Sequence, residues 1–342
     1  MPPTATAWFD GHLDLAMLEV LGRDMHAPAS SAGGPDLPAA VTLQSLREGR
    51  VTHALATIFV EADGKDPRGS YPSNDAAAAK AAGLAQLRIY ERWVMDGHAR
   101  FLKGPPIHPP GSNPPLTIGI LIEGADPIES PAELRWWKEH GVVAVALAWW
   151  KDSRYATGNG HDLNGPNANL GLTPLGREMV KEIDALNLVH DLSHLSDPAL
   201  DQLLSLSSKR VIASHSNCRA LLNDPKNQRH LADPIIKEIA RRGGIIGLNL
   251  YSKFLDPNYA EGSRAHIDLC VRHIERVCDL VSGRGCVALG SDMDGGFSAA
   301  KLPQGIDLPQ HLDKLLTALS LRGWTDRDLQ GFAFANWQRF WR

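Results

Sequence analysis

Three histidines and two carboxylates stand at or just past short apolar, β-branched runs in this 342-residue chain. They are His12 and Asp14 in Asp10-Gly11-His12-Leu13-Asp14, Glu123 in Leu121-Ile122-Glu123-Gly124, His194 in Asp191-Leu192-Ser193-His194, and His215 in Ala213-Ser214-His215-Ser216-Asn217. Imidazole nitrogens and carboxylate oxygens are ligands of catalytic divalent metals. Five of them suffice for two ions sharing one carboxylate, an arrangement that yields a hydroxide nucleophile at neutral pH. The chemistry expected is metal-assisted hydrolysis. A sixth group, Asp292 in Gly290-Ser291-Asp292-Met293-Asp294-Gly295, also follows such a run. It can orient the attacking water, take its proton and return it to a leaving amine. Asp294 reads instead as a turn or capping aspartate.

Groups so far apart in sequence meet only if a scaffold brings their strand ends together. Eight apolar runs are too short for helices: Trp8 to Asp10, Val51 to Val60, Leu116 to Glu123, Val142 to Ala148, Leu188 to Leu192, Arg210 to Ser214, Gly244 to Leu250 and Cys286 to Ser291. Their continuous rather than alternating hydrophobicity is what parallel strands covered on both faces require. Helical patterns lie between them, at Asn74 to Gly97, Pro131 to His140, Thr173 to Asn187, Asp197 to Ser207, Asp233 to Gly243 and Ser263 to Ser282. Ser130-Pro131, Thr173-Pro174 and Ser196-Asp197-Pro198 supply cap residues with proline in the first turn. The alternation predicts an α/β fold, a (β/α)8 barrel forming one domain over residues 1–342. Active sites of such barrels form at the C-terminal strand ends, and all six groups fall there. Gly-, Pro- and Asn-rich insertions are expected near 61–73, 103–115 and 152–171. The last follows the fourth strand and is a candidate substrate loop.

Composition excludes several classes. A formal charge of −4 with 22% charged and 43% hydrophobic residues gives no basic field for nucleic acid, so a small-molecule substrate is expected. The start has no basic and apolar signal pattern, and no window reaches the roughly 18 consecutive apolar residues of a membrane span. A cytoplasmic protein without a membrane partner is expected. Cys218, Cys270, Cys278 and Cys286 form no Cys-x-x-Cys pair and read as plain thiols. The Trp-rich segments Trp136-Trp137 and Trp337 to Trp341 fit a homodimer interface or the core equally well.

The ordered set Asp-Gly-His-x-Asp, Glu123-Gly124, Asp191-Leu192-Ser193-His194, Ser214-His215-Ser216-Asn217, Asn249-Leu250-Tyr251 and Gly290-Ser291-Asp292-x-Asp294-Gly295 resembles the membrane dipeptidase (renal dipeptidase) family of zinc peptidases, with a barrel of the amidohydrolase type. The resemblance runs from residue 9 to the C-terminal region. It implies two divalent metal ions, zinc in the family, with His12 and Asp14 on the first, His194 and His215 on the second, and Glu123 bridging. It implies a bridging hydroxide that cleaves the amide of a dipeptide, Asp292 as acid/base and Tyr251 at the substrate. Where the family carries a histidine after strand four this chain has Trp149, and where it carries a carboxylate-gripping arginine this chain has Lys226, with Arg229 close by. Neither exchange is conservative, because indole cannot be protonated and lysine lacks the planar fork. Two other readings therefore stay open. One is the same chemistry on another small amide, an N-acyl amino acid or a lactone; the other is a metal-binding homologue without turnover.

Overall fold

The computed structural model describes residues 3–103 and 114–342. Among the described residues the barrel is made of eight strands, β1 (Trp8–Leu13), β2 (Val51–Phe59), β3 (Leu116–Glu123), β4 (Val142–Ala146), β5 (Val189–Asp191), β6 (Val211–Ala213), β7 (Ile245–Leu248) and β8 (Val287–Leu289), and a ninth, Ala99–Phe101, pairs with β3 off the ring. Each of the eight pairs in parallel with the next. The ring is nearly closed between β8 and β1, where the Ser291 amide donates to Asp10 Oδ1 at 2.8 Å and the Asp292 amide to the His12 carbonyl at 3.2 Å. This is the expected (β/α)8 barrel. All eight runs become strands, mostly trimmed by one to three residues at their ends. β1 instead extends forward through His12 to Leu13.

Burial explains the continuous hydrophobicity. Every residue of β3, Leu-Thr-Ile-Gly-Ile-Leu-Ile-Glu, is buried, and so is every residue of β1. Helices Ala76–Met95, Pro174–Ala185, Asp197–Leu206, Asp233–Arg241 and Ile267–Val281 cover the outside. Thr173 and Ser196 cap theirs by accepting from the Gly176 and Ala199 amides. Ser130 makes no such bond, and a 3-10 turn at Pro131–Glu133 leads into helix Leu134–Glu139. The helix starting near Ser263 begins at Ile267, where His266 is the cap.

Sequence patterning passed over several short elements, of which those at the two ends of the chain bear most on the site and the barrel floor. A six-residue helix, Leu15–Val20, follows Asp14 directly. At the other end, a π turn at Gly331–Ala335 and helix Asn336–Trp341 close the barrel floor. Trp337, Phe340 and Trp341 pack against the inward residues Phe9, Leu55, Leu121, Ile212, Ile245 and Ala288, and the Trp337 indole donates to the Leu289 carbonyl at 2.7 Å. That tryptophan run is core. Trp137 is buried as well, while Trp136 stays 42% exposed. Gly11 is required here, because a Cβ at this position would run into the Trp337 ring.

Of the expected insertions, 61–73 carries a two-stranded parallel pair, Glu61–Ala62 with Ser70–Tyr71. The 152–171 segment is built from turns and isolated bridges. Most of 103–115 lies outside the described residues. Among the described residues no helix is long and apolar enough to cross a membrane, and all four cysteines are free thiols, Cys278 half-buried and the rest buried.

Candidate metal centre

At the C-terminal rim the barrel brings together His12, Asp14, Glu123, His194, His215 and Asp292, all at most 8% exposed. Glu123, the last residue of β3, sits at the centre with its two oxygens facing different histidines. Oε2 lies 3.3 Å from His12 Nε2, and Oε1 lies 3.2 Å from His194 Nε2 and 3.3 Å from His215 Nε2. His12 Nε2 is also 3.7 Å from Asp14 Oδ1 and 4.0 Å from Asp292 Oδ1. Two of the candidate ligand clusters share Glu123, one with His12 and Asp14 and one with His194 and His215, and a third joins His12 and His215 to Asp292.

The local backbone is shaped to deliver these groups. His194 (φ 65°) and Asp292 (φ 58°) both sit in the left-handed region, a costly conformation for a residue with a Cβ and one that concentrates at functional sites. Hydrogen bonds then lock the side chains. His194 Nδ1 donates to Asn159 Oδ1 at 2.8 Å, while His12 Nδ1 and His215 Nδ1 lie 3.1 and 2.8 Å from Ser214 Oγ. Thr57 donates its hydroxyl to Asp14, and Asn249 Nδ2 donates to Asp292 Oδ2 at 2.8 Å.

Whether these residues fit divalent cations can be tested on their own chemistry. Among the described residues, His12 Nε2 and Glu123 Oε1 are buried without a hydrogen-bond partner, and such groups are costly unless something else satisfies them. The Nε2 atoms of His194 and His215 stand only 2.9 Å apart. The His194 proton is committed to Asn159, so its lone pair points at the same spot as that of His215. Three carboxylates share this buried volume. Burial pushes Asp292 up to about 8, His12 pulling it back while Asp14 and Glu123 add to the rise. Burial and the Glu123 charge lift Asp14 to about 6. Burial opposes ionisation of Glu123 too, but the three imidazoles facing it hold it well below the carboxylate range. Burial also opposes charge on His12, yet Glu123, Asp14 and Asp292 together raise it to about 10. Burial and Arg229 lower His194 to about 4, and burial, His12 and Arg229 hold His215 well below its usual value. An acidic pocket into which neutral His194 and His215 turn their Nε2 atoms is what bound cations would complete.

A cavity of about 440 Å³ opens over the cluster, within the usual range for a small-molecule site. Trp149 and Tyr251 both line it. The Trp149 ring lies 4.9 Å from Phe59 and 5.8 Å from His194, and Tyr251 stacks on Phe297 at 4.5 Å. Lys226 does not reach it. That residue is exposed on a turn where its amide donates to Asp224 Oδ1, and the cation in the wall is Arg229, 4% exposed. The turn displaces the cavity-facing position three residues along the chain. Arg229 donates to the His215 carbonyl at 2.8 Å and to Ser216 Oγ at 3.3 Å, and its Nε has no partner among the described residues. Asp294 is structural, accepting from the Ala40 and Val41 amides and pairing with buried Arg23. Sequence reasoning gave no role to Asn159, Ser214, Asn249 or Thr57. Asn249 and Ser214 did lie inside quoted motifs, and Asn159 lay in the expected substrate loop.

Known proteins share this architecture. The family model described as membrane dipeptidase (peptidase family M19) matches residues 4–342. An uncharacterized dipeptidase of Schizosaccharomyces pombe is 26% identical over 97% of this chain and 80% of its own. Dipeptidase 3 of Mus musculus is 28% identical over 66% of this chain and 44% of its own. The crystal structure of a metallo peptidase from Rhodobacter sphaeroides, liganded with a phosphinate mimic of the dipeptide L-Ala-D-Ala, superposes with a TM-score of 0.78 at 22% identity, covering 98% of this chain and 99% of that one. The chain belongs to the membrane dipeptidase family, peptidase family M19, and is a metal-dependent hydrolase.

Proposed function

We propose that this hydrolase is a zinc-dependent dipeptidase with a dinuclear centre. The observation that carries the reading is the division of Glu123, one oxygen toward His12 and the other toward His194 and His215. His12 and Asp14 would hold one ion, His194 and His215 the other, and Glu123 both. An imidazole and carboxylate set of this kind suits zinc. When bound, the ions supply Lewis-acid activation of water and of the scissile carbonyl.

The chain's own residues do the rest. Asp292 Oδ2 is held by Asn249, which leaves Oδ1, the atom facing His12, to receive the proton of the attacking water. The same oxygen returns it to the departing amine. A carboxyl that moves a proton both ways works best with an affinity near neutrality, and burial moves Asp292 in that direction. Arg229 pairs with the substrate carboxylate, its unpartnered Nε and cavity position making it the group to do so in place of Lys226. Trp149, Phe59 and Tyr251 give the cavity apolar walls that exclude water and orient the substrate. The dipeptide mimic held by the Rhodobacter sphaeroides relative supports a substrate of this size.

Trp149 favours one second reading. An indole wall offers a hydrogen-bond donor but no proton, which also suits an N-acyl amino acid or another small amide. Metal analysis of the purified protein, paired with hydrolysis of L,L- and L,D-dipeptides and of N-acyl amino acids, decides between them. Two metals per chain with dipeptide turnover is the expected result. Two metals with turnover of the acyl substrates alone replaces the dipeptidase reading with the second, and a preparation that binds no metal overturns both.

A further inference from the structure

We propose that the Ser214 hydroxyl is a positioning group shared by both metal sites, fixing the tautomer of one histidine in each. The inference rests on the dinuclear reading above and adds a coupling between the two sites. Ser214 follows β6 and lies under the cluster, fully buried. Its carbonyl is wedged against β7 and β8, where a Cβ on Gly247 or Gly290 would collide with it. The two glycines let the Ser214 backbone come this close.

A serine hydroxyl has one proton to give and two lone pairs to receive with. Ser214 Oγ lies 2.5 Å from Asp191 Oδ2, and the other oxygen of Asp191 already accepts from the Ser193 amide at 3.0 Å and the Ser214 amide at 2.9 Å. Asp191 is thereby set as an acceptor, and the hydroxyl proton goes to it. The two lone pairs of Oγ face His12 Nδ1 at 3.1 Å and His215 Nδ1 at 2.8 Å, with the Ser193 hydroxyl farther off at 3.4 Å, so both imidazoles carry a proton on Nδ1 and leave Nε2, the atom facing Glu123, to take a cation. The two rings stack with centroids 3.5 Å apart, which is how one oxygen serves both. His12 belongs to one donor group and His215 to the other. A matching carboxylate and serine pair joins β8 to β1, where Asp10 accepts from the Ser291 amide and hydroxyl. Its serine has no bond to a histidine ring among the described residues. Bridging two imidazoles is therefore a property of Ser214, not of the carboxylate and serine pair.

Outer partners of ligand histidines usually change metal affinity by about 10- to 100-fold when removed. The test is a zinc titration of metal-free protein against a competing chelator, comparing the native chain with Ser214→Ala and Asn159→Ala. Asn159 serves His194 alone, so its loss should weaken one binding step. Loss of the Ser214 hydroxyl should weaken both, each by about 10-fold or more, with the secondary structure of the metal-free protein unchanged. Two native steps with only one or neither weakened in Ser214→Ala overturn the proposal. A native chain that takes up no zinc overturns the dinuclear reading and this inference with it. Should Ser214→Ala fail to fold, nitrogen NMR of the zinc-loaded native protein, labelled at histidine, reads the tautomers directly. Protons on Nδ1 of His12 and His215 support the assignment, and a metal bound through Nδ1 of either rejects it.

Discussion

Asn249 holds Asp292 by a single bond, its side-chain amide donating to Oδ2 at 2.8 Å while its own oxygen accepts from the Tyr251 amide at 2.7 Å. This fixes which oxygen of Asp292 faces the metal centre. Asp292→Asn keeps the shape but cannot take a proton, so kcat should fall by about 100- to 10,000-fold, the usual worth of a positioned acid/base group. Asn249→Ala keeps the carboxylate but frees its rotation and should cause a smaller loss. Steady-state kinetics with metal analysis of each variant checks this. Unchanged turnover in Asp292→Asn removes the acid/base role.

Arg229 and Lys226 make opposite predictions about substrate binding. Truncating a buried charge that pairs with a ligand carboxylate costs roughly 2–5 kcal/mol, so Arg229→Ala should lower kcat/KM for a dipeptide by at least about 30-fold. Lys226→Ala removes an exposed side chain outside the cavity and should leave kcat/KM within about twofold, as surface substitutions do. A dipeptide amidated at its C-terminus should lose the same factor against native enzyme and none against Arg229→Ala. If Lys226→Ala is the damaging variant, the assignment of the cavity cation is wrong.

The barrel was legible because its strands are buried on both faces, and burial writes itself into sequence as unbroken apolar runs. Glu123 shows this best. It ends the run Leu116 to Glu123, and the structure starts and stops β3 at those same residues. The floor of the barrel was not legible, since the Trp337 to Trp341 pattern is equally apolar whether it meets another chain or, as it does, Phe9 and Leu121. Lys226, expected at the substrate, stands outside the cavity, because side-chain direction along a turn does not follow a fixed period as it does in a strand. Ser214 and Asn159 lay beyond reach for another reason. Their roles depend on contacts with His12, 202 residues away, and His194, 35 residues away, and no local pattern encodes such pairings.

Trp337 tests the floor. Its indole fills the space beside Gly11 and donates to the Leu289 carbonyl, so Trp337→Ala leaves both a cavity and an unpaired carbonyl. Replacing a buried tryptophan by alanine costs about 3–5 kcal/mol. Thermal unfolding should show a clear drop in Tm. Trp337→Phe keeps the ring but not the donor and should fall between the two. A Tm unchanged in Trp337→Ala means that the C-terminal helix does not brace the barrel.

Acid should destabilise the chain through a histidine remote from the metal ligands. His273 is 1% exposed and neutral in its bonding, accepting from the Cys218 amide at Nδ1 (3.1 Å) and donating from Nε2 to the Leu255 carbonyl (3.2 Å). Burial lowers it to about 4 from 6.5, with Arg272 adding to the shift. Between those values the unfolded chain binds the proton more tightly than the folded one, so stability falls as pH drops from about 6.5 to 4 and is regained as pH rises. A gap of that size corresponds to about 3 kcal/mol. His273→Gln keeps one acceptor and one donor without a titrating ring, and the variant should lose less stability than the native chain between pH 7 and pH 4.5. Urea unfolding of both proteins at the two pH values, with metal removed so that the ligand histidines contribute equally to each, measures the difference. Equal losses in the two proteins would show that His273 does not link protonation to folding.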